Sequence, residues 1–226
     1  MMVDFIKVLL AVFVALFPVV NPIGCAPIFL SLTQQYPDSA QRILSGKIAL
    51  YSFALLTGSF LFGSIILSFF GISLVVIQIA GGLVLAATGW NLLNQKDDGS
   101  PASKTPGTLE AALQHAFFPL TLPITVGPGS ISIAITLGAH LRHQAGPGWE
   151  HGYPRHFVAG LIAMLLLSVL VLLCYANANR MERLLGRSGT SIVTRLSAFI
   201  LFAIGVQILW NGLSAGLPQV FATSPH

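Results

Sequence analysis

The residues with the most chemical possibility form one pattern written twice. Residues 17–27 read F-P-V-V-N-P-I-G-C-A-P, and residues 118–128 read F-P-L-T-L-P-I-T-V-G-P. An offset of 101 residues, without a gap, superposes Phe17 on Phe118, Pro18 on Pro119, Pro22 on Pro123, Ile23 on Ile124 and Pro27 on Pro128. A proline removes an N–H from the helical ladder, and its ring clashes with the carbonyl four residues back. One proline kinks a helix; three within ten residues are expected to unwind it. The helix that resumes past each break then offers N–H groups near Gly24, Cys25 and Ala26, and again near Val126, Gly127, Gly129 and Ser130. Such ends carry partial positive charge and suit a carboxylate. Carbonyls freed before the break suit a cation or an ammonium group. Asn21, Thr121, Thr125 and Ser130 are placed to add side-chain hydrogen bonds. Gly24 and Gly127 would let the backbone approach a ligand or take positive φ. The plainer alternative is that the prolines only kink helices for packing. The duplicated pattern, glycines included, argues against it.

Little else in the chain could carry chemistry. The acids are Asp4, Asp38, Asp97, Asp98, Glu110, Glu150 and Glu182, and none falls deep in an apolar run. Proton pathways through membranes use a carboxylate or histidine at depth, so coupling through a buried acid is disfavoured. Sodium held by carbonyls, or facilitated exchange, stays open. His115, one turn before Pro119, reads as an interfacial residue. His140, His143, His151 and His156 crowd one loop with Glu150, but their spacings of 3, 8 and 5 match no zinc pattern. That loop is expected to be solvated and to hold no metal. There is no Gly-rich phosphate loop, no zinc-protease helix and no acid at depth to orient a Ser–His pair. Neither an enzyme nor a cofactor is expected. Cys25 and Cys174 sit inside apolar runs, as small packing residues do, rather than as a disulfide pair.

The elements that position the repeated motif follow from composition. Of 226 residues, 54% are hydrophobic and 8% charged, against about 25% charged in a soluble domain. Mean hydropathy is +0.82. Eleven basic and seven acidic side chains cannot coat a soluble protein of this size. The apolar stretches are continuous and do not alternate, which excludes a membrane β-barrel. Uncharged runs at 8–33, 48–70, 72–95, 111–139, 157–179 and 196–217 each exceed the roughly 20 residues a helix needs to cross a bilayer. Between them lie polar loops at 34–47, 96–109, 140–156 and 180–190, and a tight turn at Gly71. Ala54-x-x-x-Gly58 and Gly82-x-x-x-Ala86 are small-residue pairs suited to close helix approach.

The net charge of +4 resides in those loops, so it reports orientation and not nucleic-acid binding. Arg42, Lys47, Lys96, Lys104, Arg180, Arg183, Arg187 and Arg195 fall on one side; Lys7, Arg142 and Arg155 fall on the other. The positive-inside rule puts the first set in the cytoplasm and both termini outside. Residues 96–103 are the most linker-like. They divide the chain into a first repeat, 1–95, and a linker with a second repeat, 96–226, within a single membrane domain. Gly89-Trp90-Asn91 in the third span echoes Gly205-Val206-Gln207 in the sixth. Three spans end on the side opposite their start, so two such units in tandem must be inverted. Inverted repeats with interrupted helices at matching places point to a secondary transporter.

The motifs N-P-I-G-C-A-P-I-F-L from Asn21 and F-P-L-T-L-P-I-T-V-G-P-G-S-I from Phe118, with Ile79-Ala80-Gly81-Gly82 and Arg195-Leu196, resemble the paired signatures of the MarC family of integral membrane proteins. The resemblance covers nearly the whole chain, except the histidine-bearing loop around residues 146–151. It implies six spans in two inverted repeats, and transport of small neutral amino acids such as glycine and alanine. The expectation is therefore an all-α, six-span inner-membrane transporter with broken first helices in each repeat. They would meet at mid-bilayer around a small zwitterionic amino acid. A passive channel and a non-transporting membrane sensor are the alternatives, and the sequence leaves the oligomeric state open. The orientation is testable by placing cysteines at Ser100 and Ser224. In intact cells an impermeant thiol reagent should label Ser224→Cys and spare Ser100→Cys; the reverse pattern would overturn the orientation.

Overall fold

The computed structural model describes residues 2–33, 35–94, 108–144 and 153–222, and every regular element among them is helical. The linker at 96–103, the boundary at 95/96, Glu150, His151 and residues 223–226 lie outside the described residues. The elements are α1 (Met2–Val20), α2 (Pro22–Thr33), α3 (Asp38–Phe69), α4 (Leu74–Asn94), α5 (Leu109–Gln114), a π-helical segment (Ala116–Thr125), α6 (Pro128–Gln144), α7 (Tyr153–Ala176) and α8 (Ala178–Ala222). Five stretches are long and apolar enough to cross a membrane: Asp4–Leu30, Asp38–Phe69, Leu74–Asn91, Pro154–Ala176 and Ser191–Gly216. The pair Ala116–Thr125 and Pro128–Leu141, bent by 69°, makes a sixth when counted as one. Each overlaps one of the six uncharged runs.

Two expected loops are helical instead. Residues 38–47 belong to α3, which starts ten residues before its uncharged run. The reason is amphipathicity: Ala40, Gln41, Leu44, Ser45 and Ile48 are buried at helical spacing, while Arg42 and Lys47 point outward. Gln41 Nε2 donates to the carbonyls of Thr33, at 2.9 Å, and Tyr36, at 3.2 Å. Its Oε1 accepts from Asn179 at 3.0 Å. Asn179 also reaches Asp38 at 3.2 Å, so this corner is tied by side chains. The stretch 180–190 is likewise helical, interrupted at Gly186 with φ 66° and ψ 175°. The turn expected at Gly71 is present. Gly71 takes φ 67°, its N–H bonds to Ser68 O and the N–H of Ile72 to Leu67 O. Those two bonds close the end of α3 in a Schellman motif, which needs a left-handed residue that glycine supplies without strain.

Packing sets which spans can act together. α7 lies against α1 and α3, α3 also against α6, α4 against α6, α2 against α8, and α4 along its own length against α8. Leu16, Phe29, Leu44, Ile48, Leu56, Phe60, Met164 and Leu167 form the centre of the buried cluster. Lipid is as apolar as these side chains, so helix association rests on close fit rather than on expelled water. The most extensive contact is α4 on α8. A Cβ on Gly82 would meet the backbone of Gly205 and Leu209, and one on Gly205 the backbone of Ala86. One on Gly89 would meet the backbone of Phe202 and Ala198. The second small-residue pair therefore packs as expected. The first does not: a Cβ on Gly58 would face open space, so Ala54 and Gly58 bring no helix close.

The contrast is testable by unfolding in detergent. Overpacking a close contact costs about 1–3 kcal/mol, and more where the neighbour is backbone. Gly205→Val should lose at least that, whereas Gly58→Val should stay within about 0.5 kcal/mol of the parent, as surface changes do.

Candidate functional site

The two proline motifs take different local forms. In the first, the helix is interrupted at a single residue. Asn21 has φ 45°, the one positive φ outside glycine among the described residues. Its N–H still bonds to Phe17 O at 2.8 Å, and its carbonyl accepts from Cys25 N–H at 2.9 Å. Asn21 Oδ1 accepts from Gly24 N–H at 3.2 Å. Asn21 thus ends α1 as a left-handed cap and begins α2 as an N-cap, with Pro22 at the first helical position, where no N–H is needed. Asparagine suits both tasks; glycine would serve only the first. The full unwinding expected over three prolines is absent here, because Pro22 falls where a helix begins. The N–H groups of Gly24 and Cys25 are engaged within the chain, and Ala26 lies within α2. Oδ1 of Asn21, expected to face a ligand, is occupied by the cap.

The second motif is more irregular. Phe118 and Leu122, each preceding a proline, adopt extended φ/ψ within the π-helical segment, as residues before proline prefer. Thr121 Oγ1 donates to Ala116 O and Thr125 Oγ1 to Leu120 O, both at 2.7 Å. Val126 N–H reaches Thr121 O at 2.8 Å. Two threonines thus satisfy carbonyls five residues back in the distorted stretch. α6 then starts at Pro128, with Gly127 in the capping position and no side chain to cap with. Ser130 Oγ donates to Gly127 O at 2.8 Å. No hydrogen bond to the N–H groups of Gly129 or Ser130 is made among the described residues. The two motifs therefore differ: the start of α2 is capped and the start of α6 is not. Neither Gly24 nor Gly127 has positive φ. A Cβ on Gly24 would collide with the side chains of Ser197 and Asn21, and one on Gly127 would lie 3.1 Å from Pro123 O.

The motifs touch. Cys25 Sγ lies 3.7 Å from Val20 O, at the end of α1, and 3.7 Å from Ile124 O in the second motif. Thr125 Oγ1 is 2.8 Å from the hydroxyl of Tyr175 on α7. The Tyr175 ring stacks on Phe29 of α2, with centroids 4.6 Å apart. One side chain of the fifth span thus holds both motifs. Gly24 lies instead beside Ser197 of α8, and Gly129 beside Leu85 of α4. Tyr175, Phe29 and Ser197 were not among the expected site residues. Tyr175 had a signal: it is a phenol inside an uncharged run, and a buried phenol needs a partner. His115 is exposed at the junction of α5 with the π-helical segment. No group of three or more metal-binding side chains occurs among the described residues.

The model of the MarC family of integral membrane proteins matches residues 6–217. The chain is 31% identical to the UPF0056 inner membrane protein MarC of Salmonella typhimurium, over 94% of this chain and 96% of that one. It is 32% identical to a UPF0056 membrane protein of Methanocaldococcus jannaschii, over 91% and 95% of the two chains. No solved structure matches it. The chain belongs to the MarC family and is a multi-pass inner-membrane protein.

The Tyr175–Thr125 bond should be measurable as a coupling. Tyr175→Phe keeps the stacked ring and removes the hydroxyl; Thr125→Val keeps the shape. A hydrogen bond of this kind is worth about 1 kcal/mol net. Unfolding of both single variants and the double variant should give a coupling near that value; strictly additive losses would show that the bond stabilises nothing.

Proposed function

We infer that this MarC-family chain is a secondary transporter of small neutral amino acids such as glycine or alanine, working by alternating access between two inverted three-span repeats. The observation that carries the reading is the contact between the two proline motifs. Interruptions at matching places in the two halves meet through Cys25 and Ile124, where irregular backbone is tolerated only if protein or a cavity surrounds it.

The packing supports the inverted relation. Exchange of the halves turns the contact of α3 with α6 into that of α7 with α2, and the contact of α4 with α6 into that of α8 with α2; all four occur. The α4–α8 interface repeats itself under a single shift of 116 residues. Gly82 against Gly205 becomes Ala198 against Gly89, and Gly89 against Phe202 becomes Gly205 against Ala86; each of these contacts is made. The left-handed glycines that follow the second and fifth spans, Gly71 and Gly186, have φ 67° and 66°.

The uncapped start of α6 is the better end for a substrate carboxylate, through Gly129 and Ser130. Gly127, which lacks a capping side chain, leaves those N–H groups open. Carbonyls of the extended residues before it suit the ammonium. Asn21, Gly24, Cys25 and Ala26 shape the opposing wall, and Thr121 and Thr125 hold the distorted backbone in form. No acid lies nearby among the described residues, which suits a neutral zwitterion over a cationic solute.

Purified protein in liposomes should show saturable counterflow of labelled alanine, and a side chain at the tight Gly127 position, as in Gly127→Val, should abolish it. Two charge-assisted hydrogen bonds are worth about 1.5–3 kcal/mol each. Glycinamide, which lacks the carboxylate, should therefore compete at least about a hundredfold more weakly than glycine. Equal competition would overturn the placement of the carboxylate, and non-saturating flux would indicate a channel.

A further inference from the structure

Span six has two faces of opposite character. One, with Ala198, Phe202, Gly205 and Leu209, packs on α4. The other carries Leu196, Ile200, Ala203, Gln207, Trp210 and Ser214, all exposed. Their spacing alternates four, three, four, three, four. That is the heptad seam of a left-handed helix pair, and nothing among the described residues covers it. Most of the seam could face lipid. Gln207 cannot do so at low cost, and neither can Asn211 beside it. Gln207 Nε2 donates to Asn211 Oδ1 at 2.8 Å. Gln207 Oε1 and Asn211 Nδ2 have no further partner among the described residues. At 1.5 Å per residue, Gln207 lies about 5 Å and Asn211 about 11 Å from the midpoint of Ser191–Gly216. Both depths fall within the half-thickness of about 15 Å of the hydrocarbon core. Open amide groups at that depth need a hydrogen-bonding partner that acyl chains cannot provide.

We propose that this seam is the interface of a homodimer, in which span six of one copy packs against span six of a second and the Gln207–Asn211 amides pair with their own counterparts. Self-pairing follows from symmetry. Two copies inserted with the same orientation are related by an axis along the membrane normal, so span six meets span six in parallel. Gln207 then lies opposite Gln207 and Asn211 opposite Asn211. A carboxamide carries both donor and acceptor, so it complements its own copy, as a buried asparagine does in a parallel coiled coil. Ala203 and Ser214 are small enough to let the helices approach on either side of the amides. A hetero-partner would need no such self-complementarity.

The full-length protein in lipid nanodiscs and liposomes tests this. The wild type should be a dimer by mass photometry and by single-molecule photobleaching at low density. Gln207→Leu with Asn211→Leu, which keeps the volumes and removes the amides, should weaken dimerisation at least tenfold while leaving the thermal unfolding profile unchanged. Oxidation of Ala203→Cys should give a disulfide-linked dimer. Leu166→Cys, exposed on α7, should not, and neither should the wild type, whose Cys25 and Cys174 are buried. A monomeric wild type, a leucine variant that dimerises undiminished, or equal cross-linking through Leu166→Cys would each overturn the proposal. Alanine counterflow is a separate measurement, so loss of the transport reading would leave this one standing.

Discussion

A bilayer offers no water to a backbone group that has lost its partner, and the local structure of both motifs answers to that constraint. Each proline deletes one donor from the ladder. The chain answers with short polar side chains taken from the motif itself. Asn21 supplies an acceptor to Gly24 N–H, and Thr121, Thr125 and Ser130 supply donors to the carbonyls of Ala116, Leu120 and Gly127. These side chains look from sequence like ligand groups. In the structure they first keep irregular backbone tolerable at depth. What is left open after that compensation, at the start of α6, is correspondingly meaningful.

Legibility followed the strength of the signal. Continuous apolar runs announced the spans, and Gly71 announced its turn, because length and a left-handed residue are local properties. The helical stretch at 38–47 was hidden because charge was read as loop, although Ala40, Leu44 and Ile48 already showed helical spacing there. The difference between the motifs was harder to see. Both contain three prolines at the same spacing, but Asn21 precedes the middle proline of the first and caps α2, whereas Leu122 holds that place in the second and α6 starts only at Pro128, behind a glycine that has no side chain to cap with. Tyr175 was missed for another reason. Its partners, Thr125 and Phe29, lie 50 and 146 positions away, and no periodicity reports a contact of that range.

The same separation between local and distant information explains the two small-residue pairs. Gly58 and Gly82 sit in near-identical sequence patterns, yet only Gly82 meets another helix. A small residue permits close approach; it does not require it. What requires it is a complementary face at the right height on another span, here Gly205 and Leu209 on α8.

That glycine contact has a consequence in time. Gly82 and Gly205 are 123 residues apart, and ribosomes add about 5–20 residues per second. The third span therefore waits on the order of 6–25 seconds in the membrane before the sixth is made. During that interval its glycine groove has no protein to fill it. The first half of the chain must persist as an incomplete unit, with lipid in the place that span six will later occupy. Assembly cannot finish before the last helix is made, and a chain truncated before it would lack the largest interhelical contact of the fold.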